Sequence, residues 1–167
     1  MDNDLGAYVA AKKVRIEKRD RYGLYIGGKE VTSLNKDNVP GLKSGSASYN
    51  EITKTLTFKG ETAEIDGFLE EYHTAIFSPD ELTIEGNVKI DMSEKTEYAI
   101  RTEGDLTING KIEATSDKYG IYAEDSDILI KGDVEVSSEK AGISAKNLVV
   151  DGGSLSANVT CRNTTAF

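Results

Sequence analysis

Apolar and polar residues alternate along most of this chain with the period of two that marks a strand buried on one face, as in Leu82-Thr83-Ile84 and Val88-Lys89-Ile90. The alternation falls into four lines that superimpose: YHTAIFSPDELTIEGNVKI from Tyr72, EYAIRTEGDLTINGKIEA from Glu97, YGIYAEDSDILIKGDVEV from Tyr119 and AGISAKNLVVDGGSLSA from Ala141. Ile76, Ile100, Ile121 and Ile143 are separated by 24, 21 and 22 residues, and Ile84, Ile108, Ile130 and Val150 by 24, 22 and 20. Residues recurring at a fixed period are the mark of stacked structural units.

Each line reads as three short strands. The first is centred on Ile76, Ile100, Ile121 or Ile143. The second covers Leu82–Ile84, Leu106–Ile108, Ile128–Ile130 and Leu148–Val150, and the third Val88–Ile90, Ile112–Ala114, Val134–Val136 and Leu155–Ala157. The expected fold is all-β: a right-handed parallel β-helix with three strands and about 22 residues per coil. Right-handedness is expected because the hexapeptide spacing of left-handed coils is absent. Gly86, Gly110, Gly132 and Gly152 follow the second strand, where a sharp corner calls for the positive φ that glycine reaches without a Cβ clash. Gly153 reads as one extra corner residue.

Between Tyr22 and Ile65 the pattern changes to hairpins. Leu24-Tyr25-Ile26 and Val31-Thr32 flank a Gly27-Gly28 turn, and Ala47-Ser48-Tyr49 and Leu56-Thr57-Phe58 flank Asn50 to Lys54, with Asn35 to Ser46 as the connecting loop. An open solenoid end exposes strand edges, and an N-terminal β-hairpin cap would cover one. The expected divisions are residues 1–21, an N-terminal strand or part of a preceding coil; 22–65, the cap leading into the first coil; 66–160, stacked coils; and 161–167, a polar tail that would be the truncation point if the chain is a piece of a longer protein. Tyr8, Val14 and Ile16 fall on Ile143, Leu148 and Val150 when one residue is inserted, which suggests a coil in the first segment.

Composition narrows the function classes. The 167 residues, 38% hydrophobic, are enough for one thin-cored domain, and no apolar run suits a membrane span. Met1 to Ala11 lacks the features of a signal peptide. A formal net charge of −9 argues against nucleic acid as a partner. The basic stretch of Lys12, Lys13, Arg15, Lys18, Arg19 and Arg21 reads as the solvated face of a strand. Cys161, the single cysteine, excludes an internal disulfide framework, and His73, the single histidine, reads as a surface side chain.

YGLYIGGKEVTS from Tyr22, GSASYNEITKTLTF from Gly45 and the YGIYAEDSDILIKG repeat from Tyr119 resemble the β-helix modules called carbohydrate-binding-domain-containing proteins, found in surface and secreted proteins of Gram-positive anaerobes. The resemblance spans roughly Tyr22 to Ala157. It implies a noncatalytic module, extracellular or cell-wall associated, that contacts a polysaccharide or other glycan.

Stacking turns each repeat position into a column with side chains about 4.8 Å apart. One column flanks the inward isoleucines: Tyr98 and Tyr119 before them, Phe77, Arg101 and Tyr122 after. Alternation points all five outward, where rings and a guanidinium could stack on sugar rings, or simply form a ladder that ties coils together. A second column holds Glu81, Asp105 and Asp127, then Asn147, with Asp80 and Asp125 close by. Stacked carboxylates could hold Ca²⁺ through oxygen ligands or stand apart in solvent; no other cofactor is implied, and the glycine that an EF-hand needs is replaced by Ile130. Asp105 with Asp127 is the only pair resembling the carboxylates of a polysaccharide lyase or hydrolase, and a column repeated in every coil points to repeat geometry rather than to an active site. A third class is structural. Leu129 and Val149 point outward near the C-terminal end, so a neighbouring domain, or end-to-end assembly into an adhesive spacer, is the alternative to glycan binding.

Overall fold

The structure, a computed structural model, describes residues 18–93 and 96–160. Among them the chain forms 14 strands and no helix, and is built as a parallel β-solenoid with antiparallel strands at one end. The first face stacks β5 (Thr74–Ser78), β8 (Tyr98–Thr102), the start of β11 (Tyr119–Ile130) and the start of β13 (Ala141–Val150). The second stacks the start of β4 (Thr55–Ile65), then β6 (Leu82–Glu85), β9 (Leu106–Asn109) and the later halves of β11 and β13. The third stacks the end of β4 with β7 (Val88–Asp91), β10 (Ile112–Thr115), β12 (Asp133–Ser138) and β14 (Ser154–Val159).

The register is the one the sequence columns require. Ile76 pairs with Ile100, Ile100 with Ile121 and Ile121 with Ile143, and the lines Leu82–Leu106–Ile128–Leu148 and Val88–Ile112–Val134–Leu155 run in the same way. Parallel strands in exact register put identical side chains over one another, so the interior fills with aliphatic ladders: Ile76, Ile84, Ile100, Ile108, Ile112, Ile121 and Ile130 are fully buried. Each coil contributes to all three faces, and three strands are continuous through a corner: β11 and β13 through the first, and β4 through the second.

The corner glycines require correction. Gly86 has φ 83° and Gly152 φ 87°, but Gly110 and Gly132 are not in the left-handed region. What demands glycine there is the coil beneath: a Cβ on Gly110 would sit 1.9 Å from the Gly86 carbonyl oxygen, and one on Gly132 would sit 2.0 Å from that of Gly110. The extra residue of the last coil is also Gly152 rather than Gly153. A Cβ on Gly153 would lie 1.8 Å from the Gly132 carbonyl, so Gly153 continues the column, while Gly152 projects into open space. Leu155 still faces the core, partly buried.

Two hairpins cover the N-terminal end. β1 (Arg21–Ile26) and β2 (Lys29–Thr32) turn through Gly27 and Gly28, whose φ values of 53° and 75° suit a tight hairpin turn, and β1 adds antiparallel to β5. β3 (Ser44–Asn50) adds antiparallel to β4. Between them Val39 is buried, its N–H donating to the Ala47 carbonyl at 2.9 Å, and Leu24, Ile26 and Val31 close the apolar interior. The coil pattern around Tyr8, Val14 and Ile16, the basic residues from Lys12 to Arg15, and Cys161 lie outside the described residues.

Candidate functional site

The outward positions of the first face gather the aromatic residues. Tyr119 pairs with Tyr98, and Tyr122 with Arg101, which pairs in turn with Phe77. Strand spacing alone brings the Tyr98 and Tyr119 rings into parallel stacking, with centroids 5.6 Å apart and an interplanar angle of 9°. Tyr122 stands across both, 5.0 Å from Tyr98 and 5.1 Å from Tyr119. The Arg101 guanidinium sits among three rings, 5.2 Å from the centroid of Tyr72, 5.6 Å from Tyr98 and 5.9 Å from Tyr122. Lys140 Nζ lies 5.0 Å from the centre of Tyr119. These are the quadrupole-guided arrangements expected of rings and cations held at strand spacing.

Phe77 is not a surface member of this set. Only 4% of it is exposed, because the Tyr72 ring lies flat on it at 4.2 Å and 7°. Tyr72 therefore takes the outer position, and Tyr25 of β1 extends the cluster toward the cap, 6.5 Å from Phe77. Neither stands in the repeat column: Tyr72 comes from the loop before β5, and Tyr25 from a strand that docks antiparallel.

Beside the rings a groove of about 260 Å³ is lined by Arg101, Thr102, Glu103, Tyr122, Glu124 and Asp125. Seven positions separate Ile121 from Ile128, against six between Ile100 and Leu106 in the coil before and five between Ile143 and Leu148 in the coil after, and the pairing of β11 with β13 slips by two residues between Ala123 and Asp127. The longer corner lifts Glu124 and Asp125 outward, both exposed. The Tyr122 hydroxyl donates to the Glu124 carboxylate, which holds the phenol protonated and pushes its pKa up to about 12. Arg101 Nη2 is 3.8 Å from a Glu103 carboxylate oxygen. Two buried polar atoms at the groove, Arg101 Nε and Thr102 Oγ1, have no partner. In the coil before, Ser78 occupies the Thr102 position and its hydroxyl donates to the Asp80 carbonyl at 3.0 Å.

The acidic column is a hydrogen-bond ladder. The Asp127 N–H donates to the Asp105 carboxylate at 2.9 Å, and the Asn147 amide donates to the Asp127 carboxylate at 2.7 Å. Glu81 is exposed at the same corner, beside Asp80, which pairs with Lys54 at 3.2 Å. Among the described residues no three His, Cys, Asp or Glu side chains are grouped to hold a metal ion, and no helix is long and apolar enough to cross a membrane. His73 is exposed, with φ 47°, at the turn into β5.

Fold and surface together define a parallel β-solenoid that carries a clustered aromatic and guanidinium face on one side. The chain belongs to the family described as carbohydrate-binding domain-containing protein, whose model matches residues 14–162. No curated protein and no solved structure gives a match.

Proposed function

We propose that this chain is a noncatalytic glycan-binding module, working outside the cell or at the cell wall, whose binding face is the cluster of Tyr72, Tyr98, Arg101, Tyr119 and Tyr122. The observation that carries the reading is the cluster itself. Rings drawn from several coils lie half-exposed on one face beside a groove lined by a guanidinium and carboxylates, the pairing of apolar area with polar handles that sugar rings need. Family membership supports the same reading. Ring contacts also tie adjacent coils together, each worth about 0.5 to 1.5 kcal/mol, so binding and folding must be read separately. Alanine at Tyr98, Tyr119 and Tyr122 together abolishes retardation in a polysaccharide affinity gel while the circular dichroism spectrum remains that of a folded β protein. Unchanged retardation of the folded triple variant refutes the assignment.

End-to-end assembly is the second reading. It is favoured by Leu148, Val149, Val150 and Val159 at the C-terminal end, exposed by 42%, 53%, 45% and 50%.

A further inference from the structure

β13 ends the stack with one edge open. Among the described residues it pairs only with β11, and β14 only with β12, so a strand that turns the first corner is left without a partner on its outer side. Its inward positions are apolar and incompletely covered: Leu148 and Val150 are exposed, and Ile143 and Ala145 are half-buried. Edges of this kind recruit further strands.

A segment that fits there turns the same corner with the same spacing, and residues 7–16 have that pattern. Tyr8, Ala10, Val14 and Ile16 repeat the inward positions Ile143, Ala145, Leu148 and Val150, and the six positions from Tyr8 to Val14 equal those from Ile76 to Leu82 and from Ile100 to Leu106. Residues 161–167, with Arg162, Asn163, Thr164 and Thr165, carry no such alternation. Charge does not decide the match. In that register Lys13 continues above Asn147 and Arg15 above Val149, while Lys12 meets Lys146 and Glu17 meets Asp151.

The segment has no such place in its own molecule. At the N-terminal end both edges that a parallel coil would need are taken, β5 by antiparallel β1 and β4 by antiparallel β3. The C-terminal end is out of reach. Arg19 pairs with Glu30 at 2.9 Å, and Asp20 is held to Ser33 by two hydrogen bonds of 3.0 Å, which fixes the chain against the cap. From Ile16 to Arg21 an extended chain spans at most about 18 Å. The position beyond β13 lies five strand spacings from β1, about 24 Å.

We propose that residues 7–16 of one copy add as a parallel strand to β13 of a second copy, with Val14 and Ile16 covering Leu148 and Val150. The proposal rests on the end-to-end reading and names the occupant of the open end. Arm and end are different surfaces, so the contact is heterologous and every added copy presents a new open end. A single added strand is a small interface, so the contact is reversible and dilute chains are monomers with the end open.

Light scattering on the full chain and two variants tests the contact. Ile16→Asp charges the arm, outside the described residues, and Val150→Asp charges the end at a side chain that is already exposed. The mass of the native chain rises with concentration beyond that of a dimer, whereas each variant alone stays a monomer with the native circular dichroism spectrum. Mixed, the two variants form a two-chain species and nothing larger, because one supplies the intact arm and the other the intact end. Variants that stay monomeric when mixed overturn the proposal. Assembly that survives Ile16→Asp but not Val150→Asp overturns the arm as occupant while the end-to-end reading stands. Assembly that survives Val150→Asp, or a native chain that is monomeric at every concentration, overturns both and leaves β13 to residues 161–167 or to a partner of another kind.

Discussion

Gly110 and Gly132 show why single residues in a solenoid carry more than their own conformational preference. Neither has a positive φ, yet each is overlaid on the backbone of the coil before it at a distance no Cβ can share. Gly110→Ala must therefore push two coils apart, and a loss of about 3 kcal/mol is expected, at the upper end of ordinary single substitutions. Gly152→Ala meets only open space and the strain of φ 87°, and should cost about 1 kcal/mol. Urea denaturation of the two variants checks the contrast; equal losses would mean that stacking is not what the corner glycine serves. The sequence marks these glycines as a column, but a column does not reveal whether a dihedral or a neighbour demands it. Phe77 is similar. Alternation predicts its outward direction correctly, whereas the Tyr72 ring that buries it arrives from an irregular loop with no repeat to announce it.

At the scale of the element, the third face illustrates how neighbouring strands fix each other's charges. The Asp91 carboxylate at the end of β7 accepts from the Thr115 hydroxyl of β10 at 3.0 Å and from Ser93 at 3.1 Å, and these bonds, Thr115 first, hold its pKa below the usual range. Between that depressed value and the ordinary aspartate value of about 3.9, the unfolded chain binds more protons than the folded one. The contribution is present above the unfolded pKa and is lost as pH falls through the folded one. Thr115→Val should lower the urea midpoint at pH 7 and do so less at pH 2.5; a gap that stays constant with pH contradicts the coupling. The inward ladders of these strands were legible in the sequence because parallel register preserves the repeat exactly. The groove was legible only as a spacing of seven between spacings of six and five. Its meaning depends on where the extra residues bulge, and that is decided by the pairing of the coils on either side.

At the scale of the whole molecule the two ends differ. Hairpins close the N-terminal end over Leu24, Ile26 and Val39, whereas inward positions of the last coil are open: Val150 is 45% exposed although its partner one coil earlier, Ile130, is fully buried. Val136→Ala, in the covered interior, should cost about 2 kcal/mol, and Val150→Ala no more than about 0.5. Equal losses would show that another surface covers the end, and light scattering would then report a mass that rises with concentration. The aromatic face runs along the side of the stack and includes none of Leu148, Val149, Val150 and Val159, so glycan contact and assembly can be measured independently. The cap is legible in the sequence because Gly27-Gly28 fixes a tight hairpin. The aromatic cluster is legible in part, since Tyr98, Arg101, Tyr119 and Tyr122 stand in the repeat while Tyr25 and Tyr72 do not.

The central claim is that this face is where a glycan binds, and a glycan array probed in parallel with the native chain and the Tyr98→Ala, Tyr119→Ala, Tyr122→Ala variant tests it most directly. The account predicts a defined set of glycans bound by the native chain and lost by the folded variant. Retention of the same set by the variant would contradict it.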